Sequence, residues 1–173
     1  DTKSADYYLA KFAKLMRGIL ENSQEKEIPL SEELKILESY IQLEMSRLQN
    51  KFGYEITTAE NINPENVFVP PMILQPFVEN SIWHGLSKKD NGGKITISVS
   101  KTGNLLNCIV EDNGIGRKKS AENATLGKSY GIKLTEDRIA LHNETKNPDA
   151  GVFVTDLEQG TKVEVKLPLL EQI

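Results

Sequence analysis

Glutamate and asparagine stand side by side at Glu79-Asn80, within the stretch Pro71-Met72-Ile73-Leu74-Gln75-Pro76-Phe77-Val78-Glu79-Asn80-Ser81-Ile82-Trp83-His84-Gly85. A carboxylate beside a neutral amide oxygen suits a hard cation and its waters. A buried asparagine satisfied by backbone groups is the alternative for Asn80. The element that carries the pair can be read from its ends. Prolines where a helix starts and a glycine past its end predict a helix over residues 71–85. On that helix Asn80 lies one turn from both Pro76 and His84, so a polar edge runs along an otherwise apolar rod.

About thirty residues on, Ile109-Val110-Glu111-Asp112-Asn113-Gly114-Ile115-Gly116 reads as a strand ending in a carboxylate and a glycine turn. A further segment, Gly127-Lys128-Ser129-Tyr130-Gly131-Ile132, leads into a helical pattern, and Gln159-Gly160-Thr161 opens a last strand. Taken in this order, the motifs resemble the ATP-binding domain of the GHKL superfamily (histidine kinases, gyrase B, Hsp90 and MutL). The wording Pro-Pro-x-x-Leu-Gln-Pro-x-Val-Glu-Asn-x-Ile-x-His-Gly is narrower, and is similar to the LytS-type sensor histidine kinases of two-component systems. The resemblance covers nearly the whole chain.

The resemblance implies ATP and Mg²⁺ as cofactors and gives each motif a role. Asp112 would accept a hydrogen bond from the exocyclic adenine amine, and an ionised acceptor there discriminates against guanine. Taken alone it is also a turn residue of an Asp-Asn-Gly sequence. Gly114 and Gly116 would let backbone approach the nucleotide, or simply make a tight turn. Backbone N–H groups at the helix entrance would hold phosphates. There Ser129-Tyr130-Gly131-Ile132 departs from the family's common Gly-x-Gly-Leu, which leaves that role to Gly131 rather than Ser129. Lys128 and Lys133 neutralise phosphate or are solvated. Thr161 matches the Gly-Thr that completes the adenine pocket.

Asn80 is the expected magnesium ligand. Hydrolysing GHKL members place a water-activating glutamate one turn before this asparagine, where Pro76 stands here; loss of that base fits a kinase. Glu79 would orient the acceptor histidine or act as its base. Trp83 occupies a position often held by lysine in other histidine kinases. His84 contacts phosphate or packs against the loop.

Composition agrees with a folded protein of modest size. The 173 residues suffice for one domain, or one with an appendage, and 38% are hydrophobic. No apolar run approaches the roughly 20 residues of a membrane-spanning helix, and no signal peptide is visible. A net charge of −4 argues against nonspecific nucleic-acid binding. One cysteine, Cys108, excludes an internal disulfide, and its place in a predicted strand favours a small buried hydrophobe over a reactive thiol.

Several elements must position the motifs. Leu9, Phe12, Met16 and Ile19, broadened by Leu15 and Leu20, predict an amphipathic helix over residues 4–22. Ser31 is a candidate cap for a second helix with Leu34, Leu37, Ile41, Met45 and Leu48 on its apolar face; Glu32 and Glu33 in its first turn suit the helix dipole. Short strands are expected at residues 54–60 and 67–69. Ile95, Ile97 and Val99, then Leu106, Cys108 and Val110, alternate as a strand pair turning at Thr102-Gly103-Asn104. Residues 117–130 show no regular pattern and are expected to form a mobile loop. A helix should follow over residues 131–145, and then a hairpin from strands at 151–157 and 161–167.

The expected class is α+β: a two-layer α/β sandwich, the Bergerat fold of the resembled family, with a mixed sheet, helices on one face and an amphipathic helix in front. Residues 1–25 would be the C-terminal part of the dimerisation and phosphoacceptor region, and 26–173 the ATP-binding domain. The resemblance implies a cytoplasmic catalytic portion of a sensor histidine kinase. Its acceptor histidine would lie upstream of Asp1, because neither His84 nor His142 has an Asn-Pro-His setting. Implied partners are a second kinase copy and a response regulator, of LytTR type in the family's usual pairing, with no direct nucleic-acid contact and membrane attachment only through upstream segments. The alternative function is a degenerate or anti-sigma-type GHKL module that binds nucleotide and protein without phosphotransfer.

Overall fold

A computed structural model describes residues 2–117, 128–143 and 147–172, the side chains of residues 128–131 excepted. The elements are α1 (Thr2–Asn22), β1 (Ile28–Pro29), α2 (Leu30–Arg47), β2 (Phe52–Thr58), β3 (Phe68–Val69), α3 (Gln75–Asn80), β4 (Gly93–Thr102), β5 (Leu105–Asp112), α4 (Lys128–His142), β6 (Gly151–Asp156) and β7 (Thr161–Pro168). Five strands form one sheet in the order β2-β4-β5-β7-β6, while β1 and β3 form a separate antiparallel pair. β2 runs parallel to β4 and the other pairings are antiparallel, so the sheet is mixed, as expected.

Period-two alternation decides which side of the sheet is covered. Ile95, Ile97 and Val99 of β4, Leu106, Cys108 and Val110 of β5, and Val163, Val165 and Leu167 of β7 point to one face and are buried. Leu37 and Ile41 of α2, Phe77 and Val78 of α3, and Ile139 of α4 close over them in the same core. Burial pushes the Cys108 thiol up to about 12, in keeping with a packing role. The β4–β5 turn falls at Gly103, whose φ of 57° is the left-handed conformation such a hairpin needs.

Several expectations need correcting. Ser31 does not cap α2; Pro29 stands at the N-cap without a side-chain bond, and the Ser31 amide donates to the Pro64 carbonyl. The helix expected from Pro71 begins only at Gln75. Met72 has φ 59°, a left-handed turn that keeps residues 71–74 out of the helix. The rod then continues past Asn80 as a π-helical turn, Ser81–Leu86. α4 starts at Lys128, before the expected Gly131. The rest of the expected mobile loop, residues 118–127 with Gly127, lies outside the described residues, as does Thr145.

The amphipathic helix α1 forms, but its covered face differs. Leu15 packs with Ile36 and Leu43 of α2, flanked by Tyr8 and Ile19, in a small cluster apart from the main core. Leu9, Phe12, Met16 and Leu20 are exposed.

Candidate functional site

The site is built where the end of β5 meets the rod. Asp112 has the same parity as Leu106, Cys108 and Val110, so its carboxylate points to the core side of the sheet and is 4% exposed. There Oδ2 accepts a hydrogen bond from Ser81 Oγ at 2.8 Å and Oδ1 accepts one from the Gly114 amide at 2.9 Å. Burial raises the Asp112 pKa, while the Gly114 amide, the Ser81 hydroxyl and the Thr161 amide work against that rise by bonding the charged form. Sequence reasoning missed Ser81. Its signal was present, since it follows Asn80 on the rod, but the bond to Asp112 spans 31 residues.

Glycine is required here by close approach. A Cβ on Gly114 would lie 2.5 Å from the Gly85 backbone, so the rod and the turn after β5 touch directly. A Cβ on Gly160 would lie 1.8 Å from the Asp112 carbonyl oxygen, and its φ is 95°. Gly116, with φ 79°, turns the chain out of the strand end. Asn113 holds the preceding loop: its Oδ1 accepts from the Lys94 amide at 2.7 Å and its Nδ2 donates to the Gly92 carbonyl at 3.2 Å.

A cleft of about 580 Å³, open to solvent, lies above Asp112. Asn80, His84, Asp112, Gly116 and Thr161 line it together. Thr161 is the β7 register partner of Asp112, and Asn80 and His84 come from the rod opposite. Apolar walls are supplied by Ile132, Val154 and Val163, a surface suited to a flat ring.

Other expected residues stand elsewhere. Gly114 lies beneath the cleft, packed on Gly85, and Gly131 falls within the first turns of α4. Glu79 is exposed on the outer edge of the rod, where its Oε1 accepts from Gln75 Nε2 at 3.3 Å. Trp83 is 48% exposed; its indole donates to Tyr40 Oη at 3.2 Å and the Arg47 guanidinium sits 4.2 Å from the ring centre. His142 is buried and its Nδ1 lies 3.4 Å from Glu27, away from the cleft.

Arg117 was not anticipated. It lines the cleft and makes two bonds to the Asp156 carboxylate, at 2.6 and 3.0 Å, tying the turn after β5 to the end of β6. Its partner is 39 residues away, and no local pattern points to it.

The donor set suits nucleotide better than a metal bound by protein alone. Among the described residues, no three His, Cys, Asp or Glu side chains gather as a metal cage. One half-buried amide, Asn80, faces the cleft, which matches a cation held mostly by phosphate oxygens and water.

A family model described as histidine kinase matches residues 1–52. Sensor protein LytS of Oceanobacillus iheyensis is 29% identical over 181 residues, covering 97% of this chain and 30% of that protein. The chain is a homologue of the LytS-type sensor histidine kinases. It spans under a third of the length of that relative. Among solved structures, the histidine kinase domain of a blue-light activated kinase from Erythrobacter litoralis superposes with a TM-score of 0.64 at 17% identity, covering 94% of this chain and 75% of that one. Histidine kinase ThkA in complex with response regulator protein TrrA gives 0.57 at 17% identity, covering 92% of this chain and 48% of that one. The sheet with helices on one face is thus the fold of histidine kinase catalytic domains.

Proposed function

We propose that the cleft binds ATP or ADP with Mg²⁺ and that the chain is the catalytic portion of a sensor histidine kinase. The observation that carries this reading is the buried Asp112 carboxylate at the cleft floor, held by Ser81 and Gly114 with acceptor capacity to spare. Asp112 reads the adenine amine, and Thr161 flanks it. Gly116, and Gly131 at the start of α4, let backbone approach the nucleotide. Asn80 holds Mg²⁺ and His84 flanks the phosphates. The bound ion supplies charge neutralisation across the phosphate oxygens.

Glu79 orients an incoming histidine or takes its proton in this reading, which its exposure outside the cleft lining supports. That histidine lies upstream of this chain, and a response-regulator aspartate then receives the phosphoryl group. The solved complex of the structural neighbour ThkA with its response regulator supports a regulator as partner; a LytTR-type regulator is the finer proposal. We assign residues 1–25 to the dimerisation region and 26–173 to the ATP-binding domain. The exposed apolar stripe on α1 supports pairing with a second copy. No helix among the described residues is long and apolar enough to cross a membrane. The cytoplasmic location we propose rests instead on the likeness to sensor protein LytS. The test is titration calorimetry with ADP and GDP: preference for ADP is expected, and equal affinity would reject the role of Asp112.

A further inference from the structure

The rod that carries Glu79 and Asn80 lacks an ordinary start. Leu74 occupies the N-cap of α3 without a side-chain cap bond. Before it, residues 71–74 run through the left-handed turn at Met72. Backbone groups in such a buried, non-helical segment need partners from elsewhere.

Two side chains distant in sequence supply them. Glu33 of α2 is 1% exposed. Its Oε2 accepts from the Met72 amide at 2.9 Å and its Oε1 from the Leu74 amide at 3.1 Å. From the other side Arg138 of α4 donates to the Pro71 carbonyl and, at 3.4 Å, to the Met72 carbonyl. A carboxylate therefore takes the amides and a guanidinium takes the carbonyls of one short segment. Burial raises the Glu33 pKa, and the two amides and the Arg138 charge oppose that rise. An apolar side chain at position 33 would fill the same core space but leave the Met72 and Leu74 amides without their acceptor, so what the carboxylate adds there is those bonds.

We propose that Glu33 and Arg138 are positioning residues that set where the Glu79–Asn80 rod begins, and hence where Asn80 stands relative to Asp112. Asp112 belongs to β5 and is also held by the Gly114 amide; it meets the rod through Ser81 and through the Gly85–Gly114 contact. The clamp thus acts first on the rod side of the cleft, where Asn80 stands, while the β5 pairing keeps Asp112 in the sheet. Because Arg138 lies on α4, whose first turns carry Gly131, a shift of that helix is passed to the rod through this segment.

The functional part of this inference rests on the nucleotide reading above, so the experiment has two arms. In the first, hydrogen exchange without nucleotide compares the chain with Arg138→Met and Arg138→Lys. Arg138 is only half-buried, so these variants should fold. Faster exchange in residues 77–86 of Arg138→Met, with β4 and β5 unchanged and part of the protection restored by Arg138→Lys, is expected. Unchanged exchange in residues 77–86 would overturn the proposal, as would equal acceleration in β4 and β5.

In the second arm, ADP affinity is measured with Mg²⁺ and with EDTA. Arg138→Met should cut the Mg²⁺-dependent gain about tenfold, the size of one charge-assisted hydrogen bond, and leave the EDTA value within about twofold. Equal loss in both conditions would mark a general defect and overturn the positioning role. If the unaltered chain shows no gain from Mg²⁺, the nucleotide reading fails at Asn80, and the exchange arm alone decides the clamp. Glu33→Gln, which keeps shape but loses charge, should reproduce the exchange pattern of Arg138→Met; native exchange in that variant would remove Glu33 from the proposal.

Discussion

Asp112→Asn exchanges one carboxylate oxygen for an amide nitrogen at the cleft floor. In the unaltered chain the oxygens accept bonds from Gly114 N at 2.9 Å and from Ser81 Oγ at 2.8 Å, and the Thr161 amide adds a third. A carboxylate offers about four acceptor sites, so an adenine amine can still donate to the group. In the variant, if the amide oxygen stays on the Gly114 amide, the new NH₂ group faces Ser81, whose hydroxyl can rotate to accept it. The incoming adenine amine then meets a donor. The loss is that of a hydrogen bond to a charged acceptor, about 1.5–3 kcal/mol, or roughly 10- to 150-fold in Kd.

Stability without nucleotide should respond in the opposite direction. The folded pKa of Asp112 is raised, mainly by burial. Between the unfolded and folded values the folded state therefore binds more protons, and stability falls as pH rises through that window. The contribution is complete below the unfolded value, about 3.9, and is lost above the folded one. Asparagine does not titrate, so Asp112→Asn should match or exceed the unaltered chain at neutral pH, with the difference shrinking toward acid. Glu33 also has a raised pKa, but it is common to both proteins and cancels. Calorimetry with ADP and GDP, and thermal unfolding across a pH series, measure the two effects. Undiminished ADP affinity would refute the adenine role, and a variant less stable at neutral than at acid pH, relative to the unaltered chain, would refute the burial argument.

Ser81→Ala should weaken ADP binding by about 0.5–1.5 kcal/mol; combined with Asp112→Asn its effect should be less than additive, because the two share one bond, and calorimetry on the double mutant checks this. Gly160→Ala puts a Cβ 1.8 Å from the Asp112 carbonyl oxygen at a φ of 95°, so thermal unfolding should show a loss of at least about 1–3 kcal/mol; an unshifted melting curve would contradict it. Incubated with γ-labelled ATP, this chain should take no acid-labile label, because His142 is buried beside Glu27 and His84 lines the cleft itself. Acid-labile label abolished by His84→Ala or His142→Ala would overturn the placement of the acceptor upstream.

Local pattern made much of this molecule legible. The alternation Leu106, Cys108, Val110, Asp112 requires only that a strand form; it then sends Asp112 to the same side as the core residues. The shared edge of Asn80 and His84 likewise follows from helical spacing, and one sheet with helices on one face from the order of periodic segments; the mixed pairing was implied by the family resemblance. Such signals are short-range, because they depend on geometry repeated every two to four residues.

Tertiary structure decided what no spacing encodes. Whether the apolar stripe of α1 is covered depends on which side α2 meets, and it meets Tyr8, Leu15 and Ile19 rather than Leu9, Phe12 and Met16. Glu33 has the position of a first-turn acid of α2, yet it is buried against amides 39 and 41 residues away. Ser81 reaches Asp112, and Arg117 reaches Asp156, only because the sheet and rod bring distant chain together. A buried polar side chain is set by the partner it must satisfy, and when that partner is distant in sequence only packing chooses it.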